Sequence, residues 1–355
     1  MSSWGHRSVK SNNAQSFIMI FLMLFSSFAV YAVKDMAVVS TILEDNNGVM
    51  YDGDFNDAEM VKDIYSGSSG SNPSELASAD GILYFRANDG VNGDELWASD
   101  GTSGGTVLVK DFNSGSGTNV NSLVEFDGML YFTADVSGSG MELWKSDGTS
   151  SGTVMVKDIY SGSSGSWPAN LTVVGNMLYF QATDGTNGRE LWKSDGTSSG
   201  TMLVKDIYSS GSSEPIELTA VGNTLYFSAK DSVGRELWKS DGTENGTVLV
   251  KNIWTGSPGP GDSNPSLITS IGSTLYFQAT SYNTASAASN GYELWKSDGT
   301  SNGTVMVKDI DPGSSGSWPA NLTVVGNTLF FPATDGSNGR ELWKSDGTSS
   351  GTMLV

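Results

Sequence analysis

The chain writes one sentence six times. ELWKSDGTSSGT stands at 142–153, 190–201 and 341–352, and the looser ELWxSDGTxxGT begins again at Glu95, Glu236 and Glu293. The six glutamates are separated by 47, 48, 46, 57 and 48 residues. A period near 48 residues constrains the fold more than any other feature, because self-similarity at that spacing marks a repeat architecture. One unit, 167–207, divides into four short apolar runs: LTVVG (171–175), MLYFQAT (177–183), ELWKS (190–194) and TMLVKDI (201–207). Each is rich in β-branched and aromatic residues, as strands are. Between them lie Gly175-Asn176, Asp184-Gly-Thr-Asn-Gly188 and Asp195-Gly196. Gly, Asn and Asp tolerate the positive φ that tight hairpins need. No repeat shows a sustained helical period.

Four antiparallel strands per repeat make one small sheet that cannot cover both of its faces alone. Radial stacking covers both, which predicts an all-β protein: a β-propeller of about six four-stranded antiparallel blades. The blades fall at 72–112, 119–159, 167–207, 213–253, 264–310 and 318–355. One alternative is a β-solenoid, whose coils take about 20–30 residues and run parallel. Another is a fragment of a seven- or eight-bladed ring. The ends raise that second alternative: EMVKDI (59–64) copies a fourth strand ahead of blade 1, while GTMLV (351–355) already fills the equivalent slot of blade 6. Blade 5 carries an insertion, SYNTASAASNGY (281–292), which reads as a mobile surface loop. SGSSGSWPANLTVVGN at 161–176 recurs, one residue shorter, at 313–327, as recent duplication would leave it.

Residues 1–32 read as a signal peptide. Arg7 and Lys10 precede the apolar run 17–30, and Val30-Tyr31-Ala32 suits cleavage. That run is shorter than the about 20 residues a membrane span takes, so no stable span is expected in the mature chain. An uncleaved signal anchor is the alternative. Residues 33–58 form an acidic segment with one candidate strand, VVSTIL (38–43), and 59–355 is the propeller. The expected placement is secreted or cell-surface. The chain has no Cys, so no disulfide staples it, and its one His lies in the leader. Net charge is −20, which disfavours nucleic acid as a partner.

In ELWKSD, alternation sets Glu and Trp on one face and Leu on the other. Trp97, Trp144, Trp192, Trp238, Trp295 and Trp343 are expected to fill the gaps between blades; the competing reading is a ring of exposed aromatics that stack on sugars. The recurrent Glu is expected to pair across strands with the Lys of VKD (Lys62, Lys110, Lys157, Lys205, Lys251, Lys308). The Asp of SDGT is expected to cap its own turn.

Calcium competes with these structural roles. Three units carry D-G-x-N-G-x-E: Asp89, Asn92 and Glu95; Asp184, Asn187 and Glu190; Asp335, Asn338 and Glu341. Hard oxygen ligands close in sequence suit Ca²⁺. A second candidate is Asp52, Asp54 and Asn56 with Asp63, spaced as in a calcium loop, although Asp57 stands where that loop needs Gly.

The repeated ELWKSDGT followed by GTxLVKDI resembles the ELWxxDGT repeat family, and the run PxxLTxVGNxLYFxATDG leading into ELW resembles the strand order of kelch-type blades. The resemblance covers 59–355 and implies a propeller-like β fold with surface or secreted placement. It implies no catalytic residue.

Without Cys or a mature His, most nucleophile–base pairs and zinc sites are excluded. The expected function is a non-catalytic binding, adhesion or matrix module. It would bind a glycan or an extracellular protein, with self-association within longer arrays. The alternatives are a structural array rigidified by calcium and a glycosidase-like enzyme with paired carboxylates. In a eukaryotic host, Asn170, Asn245, Asn302 and Asn321 begin N-glycosylation sequons.

Overall fold

The computed structural model describes residues 59–255, 261–283 and 288–355. The predicted leader, the acidic segment 33–58 and the candidate ligands Asp52, Asp54 and Asn56 lie outside the described residues.

Strand chemistry and turn chemistry agree, and the result is six four-stranded antiparallel sheets, each built from strands consecutive in sequence. Blade 1 comprises β1 (Ser74–Ala79), β2 (Ile82–Asn88), β3 (Asp94–Ser99) and β4 (Val107–Lys110). Blade 2 comprises β5 (Asn121–Phe126), β6 (Met129–Val136), β7 (Gly140–Ser146) and β8 (Val154–Lys157). Blade 3 comprises β9 (Ala169–Val174), β10 (Met177–Thr183), β11 (Arg189–Ser194) and β12 (Met202–Lys205). Blade 4 comprises β13 (Ile216–Val221), β14 (Thr224–Asp231), β15 (Gly234–Ser240) and β16 (Val248–Lys251). Blade 5 comprises β17 (Ser266–Ile271), β18 (Thr274–Asn283), β19 (Ala288–Ser297) and β20 (Val305–Lys308). Blade 6 comprises β21 (Thr323–Val325), β22 (Thr328–Thr334), β23 (Arg340–Ser345) and β24 (Met353–Leu354). Among the described residues there is no helix. The architecture is the propeller predicted from the repeat rather than a parallel solenoid.

The first strands of blades 1 to 5 are kinked at one residue in the left-handed region, Glu75, Ser122, Asn170, Glu217 and Leu267, and Asn321 holds the same conformation just ahead of β21, at φ between 45° and 59°. In blades 1 to 5 the pairing with the second strand shifts there. Such bulges strengthen local twist. The sequon residues Asn170 and Asn321 share this conformation.

The core lies between blades. Leu178, Phe180, Ala182 and Trp192 face the preceding blade and meet its Tyr131, Leu143, Val156 and Ile159. Tyr179, Leu191 and Val204 face the following blade and meet Leu225, Phe227, Ala229 and Trp238. The same pattern joins blades 1 and 2, 4 and 5, and 5 and 6. Phe132, Phe180, Phe227, Phe277 and Phe331 are fully buried in these seams. At roughly 1.5–3 kcal/mol for each fully buried large apolar side chain, the seams carry most of the stabilisation.

Two expectations need correction. The blade 5 insertion is not a loop throughout. Its flanks extend β18 and β19 beyond the length of their counterparts, with Thr280 opposite Tyr292 and Tyr282 opposite Ser289. Polarity alone reads this run as loop, yet Thr280 and Ser281 are buried, with the Thr280 hydroxyl on Ser289 at 2.8 Å and the Ser281 hydroxyl accepting from Asn290 at 2.9 Å. The segment EMVKDI, read as a strand, is not in one: residues 60–64 form no ladder, although they take a fourth strand's place beside blade 1.

Candidate recognition face and the residues of the repeat

The repeated letters are consumed by contacts between and within blades. The Glu of ELW lies at the end of a third strand and reaches the chain that leaves for the next blade. Glu190 accepts bonds from the Ile207 N–H at 2.9 Å, the Ser213 N–H at 2.8 Å and the Ser213 hydroxyl at 2.6 Å. Glu236 does so with Ile253 and Ser263, and Glu293 with Ile310 and Ser317. Glu142 holds Ile159, Tyr160 and Ser166, and Glu95 holds Phe112 and Thr118. All five side chains are fully buried. Burial pushes their carboxyls up, to about 7 for Glu95, Glu236 and Glu293, against the pull of the hydrogen bonds they accept.

The predicted Glu–Lys pair does not form. The Lys of VKD donates instead to a threonine carbonyl of the next blade: Lys110 to Thr153 at 2.8 Å, Lys157 to Thr201 at 2.7 Å and Lys251 to Thr304 at 2.7 Å. The Lys of ELWK does the same one turn further on. Lys145, Lys193, Lys239 and Lys296 donate to Gly196, Gly242, Gly299 and Gly347 at 2.7–2.9 Å. A backbone carbonyl satisfies an ammonium without burying a second charge, so the cost of an enclosed ion pair is avoided.

SDGTxxGT is a self-contained turn. The Ser hydroxyl meets the last Thr hydroxyl at 2.7 Å in all six blades. Asp241 accepts from the Thr243 N–H at 2.8 Å and its hydroxyl at 2.7 Å. These bonds hold its carboxyl below the usual range, and the other five SDGT aspartates shift the same way. The second Gly is required sterically: a Cβ on Gly246 would overlap the Asp241 carboxylate.

The D-G-x-N-G-x-E triplets do not converge as oxygen cages. Asp184 accepts from the Thr186 and Asn187 N–H groups at 2.8 and 2.9 Å and from the Asn187 side-chain amide at 2.7 Å. Asp89 with Asn92, and Asp335 with Asn338, form the same capped turn. Each Asn thus turns an N–H toward its Asp, while Glu95 and Glu190 are committed to the inter-blade clasp. Among the described residues no three acidic or imidazole side chains gather as a cation site.

Five ELW tryptophans lie in the seams and Trp97 packs on Phe85, Ala87 and Ile64; each is 6–7% exposed. The exposed aromatics are others. Trp167 and Trp318 begin the WPAN segments and are each 48% exposed, at φ +53° and +51°. Asn72 and Asn264 hold the same left-handed slot in blades 1 and 5. A bulky side chain is uncommon there. Trp318 lies against Tyr292 with ring centres 4.5 Å apart and planes tilted by 40°, and Trp254 lies 5.7 Å from Tyr282. The Asn264 side-chain amide donates to the Tyr292 hydroxyl at 3.3 Å. All four rings belong to inter-blade connections or to the β18–β19 hairpin, which share one face of blade 5. The connections that carry Trp254 and Trp318 also carry Asp262 and Asp311, and burial together with the charge of Asp311 raises the Asp309 carboxyl. Sequence reasoning missed this strip, because its members lie outside the ELW frame and meet only once the hairpin folds back.

No family model matches the chain, and no curated protein matches it. Solved structures similar to it include oligopeptidase B from Leishmania major, with 14% identity over 82% of this chain and 43% of that one and a TM-score of 0.48. The β-propeller domain of the Trilobed protease from Pyrococcus furiosus matches with 12% identity over 77% and 81% of the two chains and a TM-score of 0.39. TolB from Acinetobacter baumannii matches with 13% identity over 77% and 63% and a TM-score of 0.38. A puromycin hydrolase matches over 82% of this chain, which spans only 54% of it. The chain thus covers about half of the first structures it matches, and at these identities the likeness concerns the fold. The expected adhesion or matrix module is given up on these findings, since the matched structures are peptidases and TolB. Of its two alternatives, the calcium-rigidified array loses its candidate turns at Asp89, Asp184 and Asp335, which are closed on themselves.

Proposed function

We propose that residues 60–355 are a non-catalytic recognition propeller that holds polypeptide on the face of the inter-blade connections, with the strip Trp254, Tyr282, Tyr292 and Trp318 as its contact surface. The exposed Trp318 in a left-handed slot carries this reading. Backbone strain at a solvent-facing aromatic points to selection for something other than packing. Asp262, Asp309 and Asp311 beside the strip, on a chain of net charge −20, favour a ligand with basic as well as apolar side chains. The invariant letters are occupied by scaffold contacts, so variety between blades is left to this face. Membership of the ELWxxDGT repeat family and export through the leader 1–32 complete the proposal.

The test is retention of the full chain on an array of synthetic peptides graded in basic and aromatic content, with neutral glycans on the same array. Binding to basic, apolar peptides that weakens with salt is expected. The double variant Trp318→Ser, Tyr282→Ser should lose about tenfold or more in affinity at unchanged Tm. Retention by glycans alone, or equal binding by the variant, would overturn it.

A further inference from the structure

The two ends of the blade series are unfinished in complementary ways. On blade 6, every letter whose partner lies in a following blade is unpartnered among the described residues. Leu342 is 49% exposed where Leu96, Leu143, Leu191, Leu237 and Leu294 are fully buried. Val325 and Val355 are 60% and 66% exposed, and Glu341, the sixth clasp glutamate, is exposed. A shallow hollow lined by Glu341, Leu342, Leu354 and Val355 marks the place.

Ahead of blade 1, residues 60–64 are a fourth strand without its sheet. Lys62 donates to the Thr106 carbonyl at 2.7 Å, the bond that Lys110, Lys157, Lys205, Lys251 and Lys308 make from the fourth strands of blades 1 to 5. Ile64 packs on Phe85, Ala87 and Trp97. Yet Val61 is 45% exposed where Val109, Val156, Val204, Val250 and Val307 are 3–6% exposed, and Met60 is 77% exposed. Leu83 is 38% exposed where its counterparts Leu130, Leu178, Leu225, Leu275 and Leu329 are fully buried.

Blade 6 cannot close the ring by docking on blade 1, because β24 would need the place that residues 60–62 hold. A piece with three strands and no fourth satisfies both ends. We propose that the open face of blade 6 and the strand-like segment 60–64 together form the socket for strands one to three of a seventh blade of this same repeat, carried by a polypeptide with one more ELWxSDGT copy. The five existing seams state its chemistry. It presents Leu, Phe, Ala and Trp to Leu342, a Ser or Thr hydroxyl to Glu341, and an SDG carbonyl to Lys344. Its own third strand takes Met60 and Val61 as partners, and its ELWK lysine reaches the Gly101 carbonyl.

The experiment appends a copy of residues 205–243, which follow TMLV within the chain itself, after Val355 of the full chain. The extended protein should stay monomeric and melt in one transition at least about 5 °C higher than the parent. Leu342→Arg should remove that gain in the extended protein while leaving the parent Tm within about 1 °C, since the residue is exposed there. Met60→Asp should act likewise. No gain in Tm overturns the proposal. So does a gain that survives both substitutions, or a parent chain that pairs head to tail through Leu342, which would assign the face to a second copy.

Discussion

Blades 5 and 6 contain the same eight letters, ELWKSDGT, and do different things with them. Glu293 is fully buried and clasps Ile310 and Ser317, whereas Glu341 is exposed. Leu294 is sealed in a seam and Leu342 is half in solvent. Lys296 holds the Gly347 carbonyl at 2.7 Å, while Lys344 has no later blade to hold among the described residues. Trp295 and Trp343 are alike, because both look back to a blade that is there. The letters therefore divide by direction. Trp depends on the preceding blade and the SDGT turn on itself, whereas Glu, Leu and Lys depend on the succeeding blade. Identical sequence is not an identical environment in a stacked array.

Substitutions can break this contrast. The largest effect is expected from Leu237→Ala, which empties a sealed seam and should cost about 2–5 kcal/mol in denaturant unfolding, whereas Leu342→Ala should leave the midpoint nearly unchanged. Next comes Glu236→Ala. It strands the Ile253 N–H and the Ser263 hydroxyl in a closed site, at about 1–3 kcal/mol for each buried group left unpaired, while Glu341→Ala should be silent. Equal effects at the paired positions would refute the division by direction.

Acidity sharpens the same comparison. The folded carboxyls of Glu95, Glu236 and Glu293 titrate at about 7, above the ordinary 4.5 of an unfolded Glu. Between those values the folded chain binds more protons than the unfolded one, so the stabilisation is full below pH 4.5 and is lost as pH rises through about 7. The Tm should fall between about pH 4.5 and 7, and Glu236→Gln should flatten the slope whereas Glu341→Gln should not. The SDGT aspartates shift the opposite way. Their contribution is present above the ordinary Asp value and is lost only as pH falls through their lowered folded values, so the two windows do not overlap. The smallest effect is expected from Lys239→Met, about 0.5–1.5 kcal/mol for one hydrogen bond to the Gly299 carbonyl, with Lys344→Met near zero.

The fold was legible because strand length, turn residues and period all repeat. Four runs and three turns occur in every unit, and Trp at a fixed place in each implies a seam on each side. The partners of the charged letters were not legible. Glu and Lys of opposite sign suggest each other, yet the bonds of Glu190 go to backbone and Ser213, which lie 17 to 23 residues on in a stretch that looks like loose linker. Spacing along one strand cannot reveal a bond that depends on where the chain turns toward the next blade. The aromatic strip was hidden for a related reason: Tyr282 sits in a run too polar to read as strand, so its approach to Trp254 had no signal.

The clasp made by Glu, Leu and Lys asks of the next blade only a hydroxyl, a Phe–Ala–Trp face and backbone carbonyls. Any unit of this repeat supplies them. Blades are therefore interchangeable at every joint, and a duplicated or deleted copy needs no compensating change in its neighbours. Gain and loss of whole blades is then an easy mutational step for such a gene, and the near-identical WPAN segments of blades 3 and 6 are the trace that a recent copying event of that kind leaves behind. The number of blades is a variable that this chemistry leaves to selection on curvature.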